Sequence, residues 1–262
     1  MIKVEKDFLN IPAILKKENR REAFDENIAS HGYVDAKNRY KAKSVQKRLN
    51  QIYNLKCAYC EQKLLDAPKH IEHYRPKNKY YWLAYSWDNL LLSCGSCNSV
   101  KSDNFEIKNS PVNYDDESFE DIHNLGDTYD ETEKPFIINL EKEDVLALIR
   151  YKRDATIFSD DIRVQFTIEK ACKLNREELL QKRLPILTDF INVINEHYEL
   201  FSKHGDITRF SPSVKNFLQK VSKESEFYSF RYFIVHNIDV FFENENMQKI
   251  VKALIVKVKN EV

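Results

Sequence analysis

Two cysteine pairs with the same spacing are the residues of this chain most clearly suited to chemistry. They are Cys57 with Cys60 and Cys94 with Cys97. Two intervening residues let both sulfur atoms of a tight turn face one ion, and two such turns complete a tetrahedron around zinc. Four thiolates leave no open coordination position, so the spacing predicts a structural zinc ion. An iron–sulfur cluster or unmetallated thiols are the alternatives.

A second group of polar residues lies between and directly after the cysteine pairs. His70, Glu72 and His73 precede the second pair, and Asn98 follows it. A carboxylate, imidazoles and an amide suit a harder, exchangeable cation. On a strand, however, Glu72 and His73 point to opposite faces, so a turn or twist is needed to bring them to one centre. Alone, this run is also compatible with ordinary polar structure.

Periodicity predicts which elements surround these residues. Apolar residues at helical spacing predict a basic amphipathic helix over residues 36–55. Residues 56–107 are too short and polar to form a core without a metal ion. Residues 109–133 show weak periodicity and are interpreted as a loop or excursion, and from about Glu143 the chain is predicted to be largely helical.

The net charge of zero conceals a strong segregation of charge. Residues 36–56 contain seven basic residues and no acid, whereas residues 109–133 contain nine acids and no lysine or arginine. A neutral protein can still present a basic face to a polyanion. The basic stretch is therefore a candidate nucleic-acid surface, with a solvated helix face as the alternative. The acidic stretch is a candidate for docking a basic partner or for shielding the site.

Location decides how the cysteines are interpreted. No segment approaches the ~18 apolar residues needed to span a membrane, and the charged start lacks the apolar core of a signal peptide. We therefore expect a cytoplasmic location, where paired CxxC motifs are more often metal sites than disulfides. Cys172 has no CxxC partner and is predicted to be a buried free thiol.

The order of the motif residues resembles the HNH endonucleases. It runs Glu72-His73, then Asn89-Leu90, then Cys94-Gly-Ser-Cys97-Asn98-Ser-Val-Lys101. The fuller runs Cys57-Ala-Tyr-Cys60-Glu61 and Ile71-Glu72-His73-Tyr74-Arg75-Pro76-Lys77 resemble the branch of bacterial defence HNH proteins that accompany retrons and Septu-type systems. The close resemblance covers roughly residues 57–105.

The resemblance implies an α+β, mostly α-helical fold. Its core is a ββα-metal hairpin and helix, clamped by the four-cysteine zinc and embedded between helical segments. We expect a basic helical N-terminal segment (1–56), a nuclease core (57–108), an acidic excursion (109–142) and a helical C-terminal domain for partner docking (143–262).

The resemblance also implies a role for each motif position. His73 matches the general base, Glu72 the acidic metal ligand, and Asn98 a second metal ligand. Asn89 matches the residue that holds the loop and orients the base. The implied ion is Mg²⁺ or Mn²⁺. His70 is a third ligand, a shaping residue or a solvated side chain; Arg75, Lys77 and Lys101 are candidate phosphate contacts. Many family members have Asp in place of Glu72 and His in place of Asn98.

The implied function is a metal-dependent endonuclease that hydrolyses phosphodiester bonds of nucleic acid, with DNA favoured over RNA. Its implied setting is anti-phage defence, with an accompanying PtuA-like ATPase and a retron as partners. The chain has no Gly-x-x-x-x-Gly-Lys-Ser/Thr loop and so is not that ATPase itself. The alternative is a non-catalytic zinc-knuckle module that binds nucleic acid or a partner, which would need the cysteines but not Glu72, His73 and Asn98 together.

Overall fold

The computed structural model describes residues 1–115 and 118–260 and divides the chain into two compact units. The first unit comprises Met1–Leu148 and Ser159–Leu174, and the second comprises Ile149–Phe158 and Asn175–Val262. The first three predicted segments, which together span residues 1–142, thus lie in one unit. This unit also contains residues 159–174, which were expected in the C-terminal domain. An ion pair explains part of this, because Arg163 reaches Glu143 at 2.6 Å and donates to the Pro135 carbonyl at 2.9 Å.

The first unit combines one hairpin with short helices. Strands β1 (Lys69–His73) and β2 (Leu90–Cys94) pair antiparallel, with Glu72 opposite Leu91 and His73 opposite Leu90. The helices are α1 (Lys17–Ala29), α2 (Lys43–Ile52), α3 (Gly95–Lys101), α4 (Ser118–Asp121), α5 (Gly126–Glu133) and α6 (Ile162–Phe166), with a π turn at Thr167–Ala171. The hairpin followed directly by α3 confirms the predicted ββα core.

Strand β2 is buried along its whole length, and its sequence shows why. Leu90, Leu91 and Leu92 form a continuous apolar run instead of an alternating one, as expected for a strand covered on both faces. Helix α2 packs on β2, while α3 packs against both strands. Val45 and Leu49 of α2 are buried, so the predicted amphipathic helix exists, although it begins only at Lys43. Its first predicted turn is a 3-10 helix at Arg39–Lys41.

The acidic stretch is not simply a loop. Helices α4 and α5 lie within it, and Glu133 at the end of α5 is fully buried beside Arg75. The weak periodicity of this stretch gave no sign of either helix. Helix α5 is held in part by the ion pair of Glu133 with Arg75, 58 positions away, and such a contact leaves no periodic pattern. Several of its other acids also pair within the first unit, including Glu120 with Lys17 at 3.0 Å and Asp127 with Lys142 at 2.7 Å.

The second unit is almost entirely helical, as predicted for the C-terminal half. It contains α7 (Glu177–His204), α8 (Phe210–Gln219), α9 (Tyr228–His236), α10 (Ile238–Phe241) and α11 (Glu245–Asn260), with the two-residue strands β3 (Arg150–Tyr151) and β4 (Ile157–Phe158). Helix α8 packs on α7 and α11, and Phe190 stacks on Phe217 with ring centroids 4.1 Å apart. Within the described ranges, no helix has the length and apolar character to cross a membrane.

Candidate functional site

The four motif cysteines meet at one point. Their sulfur atoms all lie within 4.8 Å of one another and are buried, and the sulfurs of Cys60 and Cys94 are 3.8 Å apart. A tetrahedral zinc with Zn–S distances of about 2.3 Å requires sulfurs about 3.8 Å apart. The donor set and its spacing therefore fit zinc.

Local hydrogen bonds hold the two cysteine turns in place. Ala58 in the first turn donates its N–H to the Leu92 carbonyl of β2 at 2.8 Å. In the second turn the Cys94 sulfur accepts the N–H of Cys97 at 3.3 Å and caps α3. Glu61, after the first turn, has a left-handed backbone with φ 62°, which favours glycine, and its buried carboxylate pairs with the Met1 amine. The cysteine cluster thereby holds the turn at Cys57–Cys60, which precedes β1, against the junction between β2 and α3.

An open cleft of about 570 Å³ lies beside this cluster. His70, Glu72 and His73 of β1 line it, together with Asn98 from the first turn of α3. Strand alternation alone would separate Glu72 from His73, yet both line this one cleft. The structure therefore brings together the residues that the sequence singled out as base and metal ligands.

The imidazole of His73 is held in one orientation. The ring is buried, and its Nε2 lies 3.1 Å from the Ala84 carbonyl oxygen. A carbonyl can only accept, so this contact assigns the proton to Nε2 and leaves the Nδ1 lone pair free. The Tyr40 and His73 rings form a T-shaped pair with ring centroids 4.5 Å apart. Burial lowers the pKa of His73 to about 3, so the ring is neutral at physiological pH.

Glu72 is held by Lys101. The fully buried ammonium of Lys101 lies 2.9 Å from the carboxylate of Glu72 and 2.7 Å from the backbone oxygen of His73. Burial raises the pKa of Glu72, and the charge of Lys101 opposes that rise. Lys101 was predicted to contact phosphate; because it is buried and already paired, its geometry fits a residue that positions Glu72 and His73.

Asn89 connects the two ends of the segment between the strands. Its side-chain oxygen accepts the N–H of Arg75 at 2.7 Å, while its amide nitrogen donates to the carbonyls of Arg75 at 3.1 Å and Leu83 at 3.2 Å. These contacts are of the loop-holding kind that the family resemblance implies.

The Arg75 side chain is 2 % exposed and lies between Asp130 at 2.7 Å and Glu133 at 2.9 Å. This placement differs from the predicted phosphate contact, because the guanidinium points into the protein.

His70 lies against the beginning of α3. A side chain at Gly95 would come within 3.3 Å of the His70 Nε2, so the glycine gives this ring its room. Among residues 1–115 and 118–260, the four cysteines are the only group of three or more His, Cys, Asp or Glu ligand atoms close enough to share an ion. A third-ligand role for His70 remains a prediction.

Three basic side chains stand around the cleft, and the sequence identified only one of them as a contact. Lys77 lines the cleft as predicted and lies over the Tyr33 ring at 4.6 Å. Lys41 and Lys69 also line it. Lys41 belongs to the basic stretch before the motif, which was a usable signal. For Lys69 the sequence contained no comparable signal, since its position at the cleft depends on where β1 begins.

Comparison with known proteins agrees with this geometry. Residues 57–104 match the HNH endonuclease family. The chain is 32% identical over 168 residues to Septu protein PtuB of Bacillus mycoides (strain KBAB4), an alignment that covers 57% of this chain and 53% of that protein. A PtuB from Bacillus thuringiensis is 39% identical over 66 residues, covering 24% of this chain and 25% of that protein.

A third relative carries a different name. Septu protein PtuA of the same Bacillus mycoides strain is 25% identical over 205 residues, which cover 73% of this chain but 26% of PtuA. The chain thus matches about half of the first relative and about a quarter of the other two. Residues 57–104 therefore match the HNH endonuclease family, and the chain that carries them is similar in sequence to PtuB.

Proposed function

We propose that this chain is a metal-dependent HNH endonuclease that hydrolyses phosphodiester bonds, with DNA favoured over RNA as substrate. The observation that carries the proposal is the shared cleft of His73, Glu72 and Asn98, with Lys41, Lys69 and Lys77 around it. Cations around a cleft attract and orient a phosphate backbone.

Within this proposal, the protein's own groups divide the work. The neutral His73 ring, oriented by the Ala84 carbonyl, accepts a proton from the attacking water at Nδ1. Glu72, kept in place by Lys101, and Asn98 offer oxygen ligands for Mg²⁺ or Mn²⁺. When bound, such an ion supplies Lewis-acid stabilisation of the scissile phosphate and the leaving oxygen. Asn89 holds the segment that contains Ala84, since it bonds the adjacent Leu83 carbonyl.

A non-catalytic zinc-knuckle module is the competing function. It would need the cysteine cluster but would place no demand on a buried, oriented imidazole. The buried pair of Glu72 and Lys101 favours the nuclease. Burying two charges costs several kcal/mol, which good geometry only partly offsets, and a knuckle that served only as a scaffold gains nothing from that cost.

The biological setting is also a proposal. The relatives PtuB and PtuA are both named Septu proteins, and examples of both come from one Bacillus mycoides strain. This supports a role as effector in a Septu-type anti-phage system, with a PtuA-like ATPase as the controlling partner. The helical second unit is the proposed docking region. A retron partner rests on the motif resemblance alone and stays a prediction.

Cleavage of a defined panel tests the proposed activity. The purified chain is incubated with supercoiled plasmid, linear duplex, single-stranded DNA and tRNA, with Mg²⁺, Mn²⁺ or EDTA. Each reaction is run with and without a PtuA-like protein. We expect metal-dependent cleavage of at least one DNA. Binding without cleavage under every condition would favour the zinc-knuckle module.

A further inference from the structure

A carboxylate outside residues 57–104 forms hydrogen bonds with the chain between β1 and β2, which orients His73. Glu133 ends α5, well beyond residues 57–104, and is completely buried. One of its oxygens accepts the Arg75 Nε–H at 2.9 Å, and the other accepts the Tyr80 hydroxyl at 2.8 Å. A single side chain therefore connects two points of the segment between β1 and β2.

These two points flank the hydrogen bond that fixes the imidazole. Arg75 lies two residues after His73, and Tyr80 lies four residues before Ala84, whose carbonyl accepts from His73. The same helix makes a second contact with this segment, because the Trp82 indole N–H lies 3.2 Å from the Tyr129 hydroxyl. Both partners of the bond between His73 and Ala84 are thus connected to α5.

The contacts of Glu133 are costly to replace. Its oxygens accept from Arg75, Tyr80 and the Val112 N–H, the last at 3.0 Å. Hydrogen bonds to a buried charged group are stronger than neutral ones, and losing one partner leaves the others unsatisfied. Asp130 pairs independently with Arg75 at 2.7 Å, so neutralising Glu133 does not leave the guanidinium without a counter-charge. The contacts of Glu133 can therefore be weakened while the ion pair of Arg75 with Asp130 remains.

We propose that Glu133 is a positioning residue for His73. Through Arg75 and Tyr80 it keeps the Ala84 carbonyl in hydrogen-bonding position relative to the His73 ring. This inference rests on the proposed function, in which His73 is the base. It extends that function by making α5 part of the catalytic apparatus. The acidic stretch then has a role inside the enzyme, beyond the partner-docking and shielding roles considered from the sequence.

The test compares Glu133→Gln with Glu131→Gln, which makes the same chemical change at an exposed position of the same helix. Tyr80→Phe removes only the hydroxyl contact and gives a second, milder variant. Cleavage of whichever nucleic acid in the panel the wild type cuts is measured well below the melting temperature, and affinity for the same nucleic acid is measured in EDTA. We expect Glu133→Gln to lower kcat at least tenfold, Tyr80→Phe to lower it less, and both to leave affinity within twofold.

A second readout does not depend on cleavage. With ¹⁵N-labelled histidine, NMR reports which nitrogen of His73 carries the proton. We expect one tautomer, protonated at Nε2, in the wild type and in Glu131→Gln, and a mixture in Glu133→Gln. An unchanged tautomer in Glu133→Gln overturns the inference, as does an unchanged kcat in a wild type that cleaves. A wild type that cleaves nothing refutes the proposed function instead, and the tautomer still decides whether Glu133 positions the ring.

Discussion

Replacing Lys101 tests whether the buried pair beneath the cleft has the importance that its geometry implies. Lys101→Met keeps an unbranched side chain of similar length but removes the charge. Glu72, only 6% exposed, then loses the ammonium that lies 2.9 Å away. Breaking a buried pair by removing one partner costs about 3–5 kcal/mol, because the remaining charge is uncompensated. We expect a loss of that size in the free energy of unfolding.

A double-mutant cycle with Glu72→Gln isolates the interaction. The double variant leaves no uncompensated charge, so it should recover at least about 1–2 kcal/mol of what Lys101→Met alone loses. Recovery is incomplete, because the His73 carbonyl has also lost its donor at 2.7 Å. Urea unfolding of the four proteins measures the cycle, and Lys108→Met at an exposed position is the matched control, with an expected change under about 0.5 kcal/mol. Additive effects of the two substitutions would show that Glu72 and Lys101 do not stabilise each other.

Three further predictions concern the cysteine cluster, a buried carboxylate and the cationic cleft. A strong chelator, or Cys97→Ser, should remove one zinc per chain and unfold the first unit; an unchanged circular dichroism melt after zinc loss would contradict this. Burial raises the pKa of Glu141 beside Lys6 to about 7 from an ordinary 4.5. Glu141 therefore binds more protons in the folded state between these values, so its contribution to the free energy of unfolding should fall as pH rises from 4.5 to 7. Burial lowers the pKa values of His73 and His123, whose contributions have the opposite sign. Glu141→Gln removes the contribution of Glu141, so the slope of the free energy of unfolding against pH between 4.5 and 7 should be more positive in the variant than in the wild type; an identical slope in the variant would count against it. Lys69→Ala and Lys77→Ala should each reduce the slope of log affinity for DNA against log salt by about 1, and unchanged slopes would place the nucleic acid elsewhere.

The hairpin and the cysteine cluster could be predicted because their information is local. Each cysteine pair defines its own tight turn, and the apolar run Leu90–Leu92 specifies a buried strand next to the second turn. Asn98 follows this turn directly, so its place at the beginning of α3 follows from the same few residues. Cys172, predicted as a buried thiol, is indeed fully buried.

The positions of the basic residues could not be predicted in this way. Arg75, Lys77 and Lys101 all read as surface cations near the motif, yet only Lys77 lines the cleft. What separates them is the location of carboxylates that lie far along the chain. Arg75 meets Glu133 58 residues later, and Lys101 meets Glu72 29 residues earlier. Charge pairing over such distances leaves no periodic signal, which also explains why α5 was interpreted as part of a loop.

The most direct test of the catalytic claim is the rate at which His73→Ala cleaves the preferred nucleic acid with Mn²⁺. His204→Ala, at an exposed position at the end of α7, is the control. Removing a general base slows catalysis by about 10²–10⁴-fold. The cleavage rate of His73→Ala should therefore fall by that factor, while its zinc content and its affinity for the nucleic acid stay unchanged. His204→Ala should match the wild type. Cleavage by His73→Ala at the wild-type rate would show that His73 is not the general base, and the cleft would then be no more than part of a binding module.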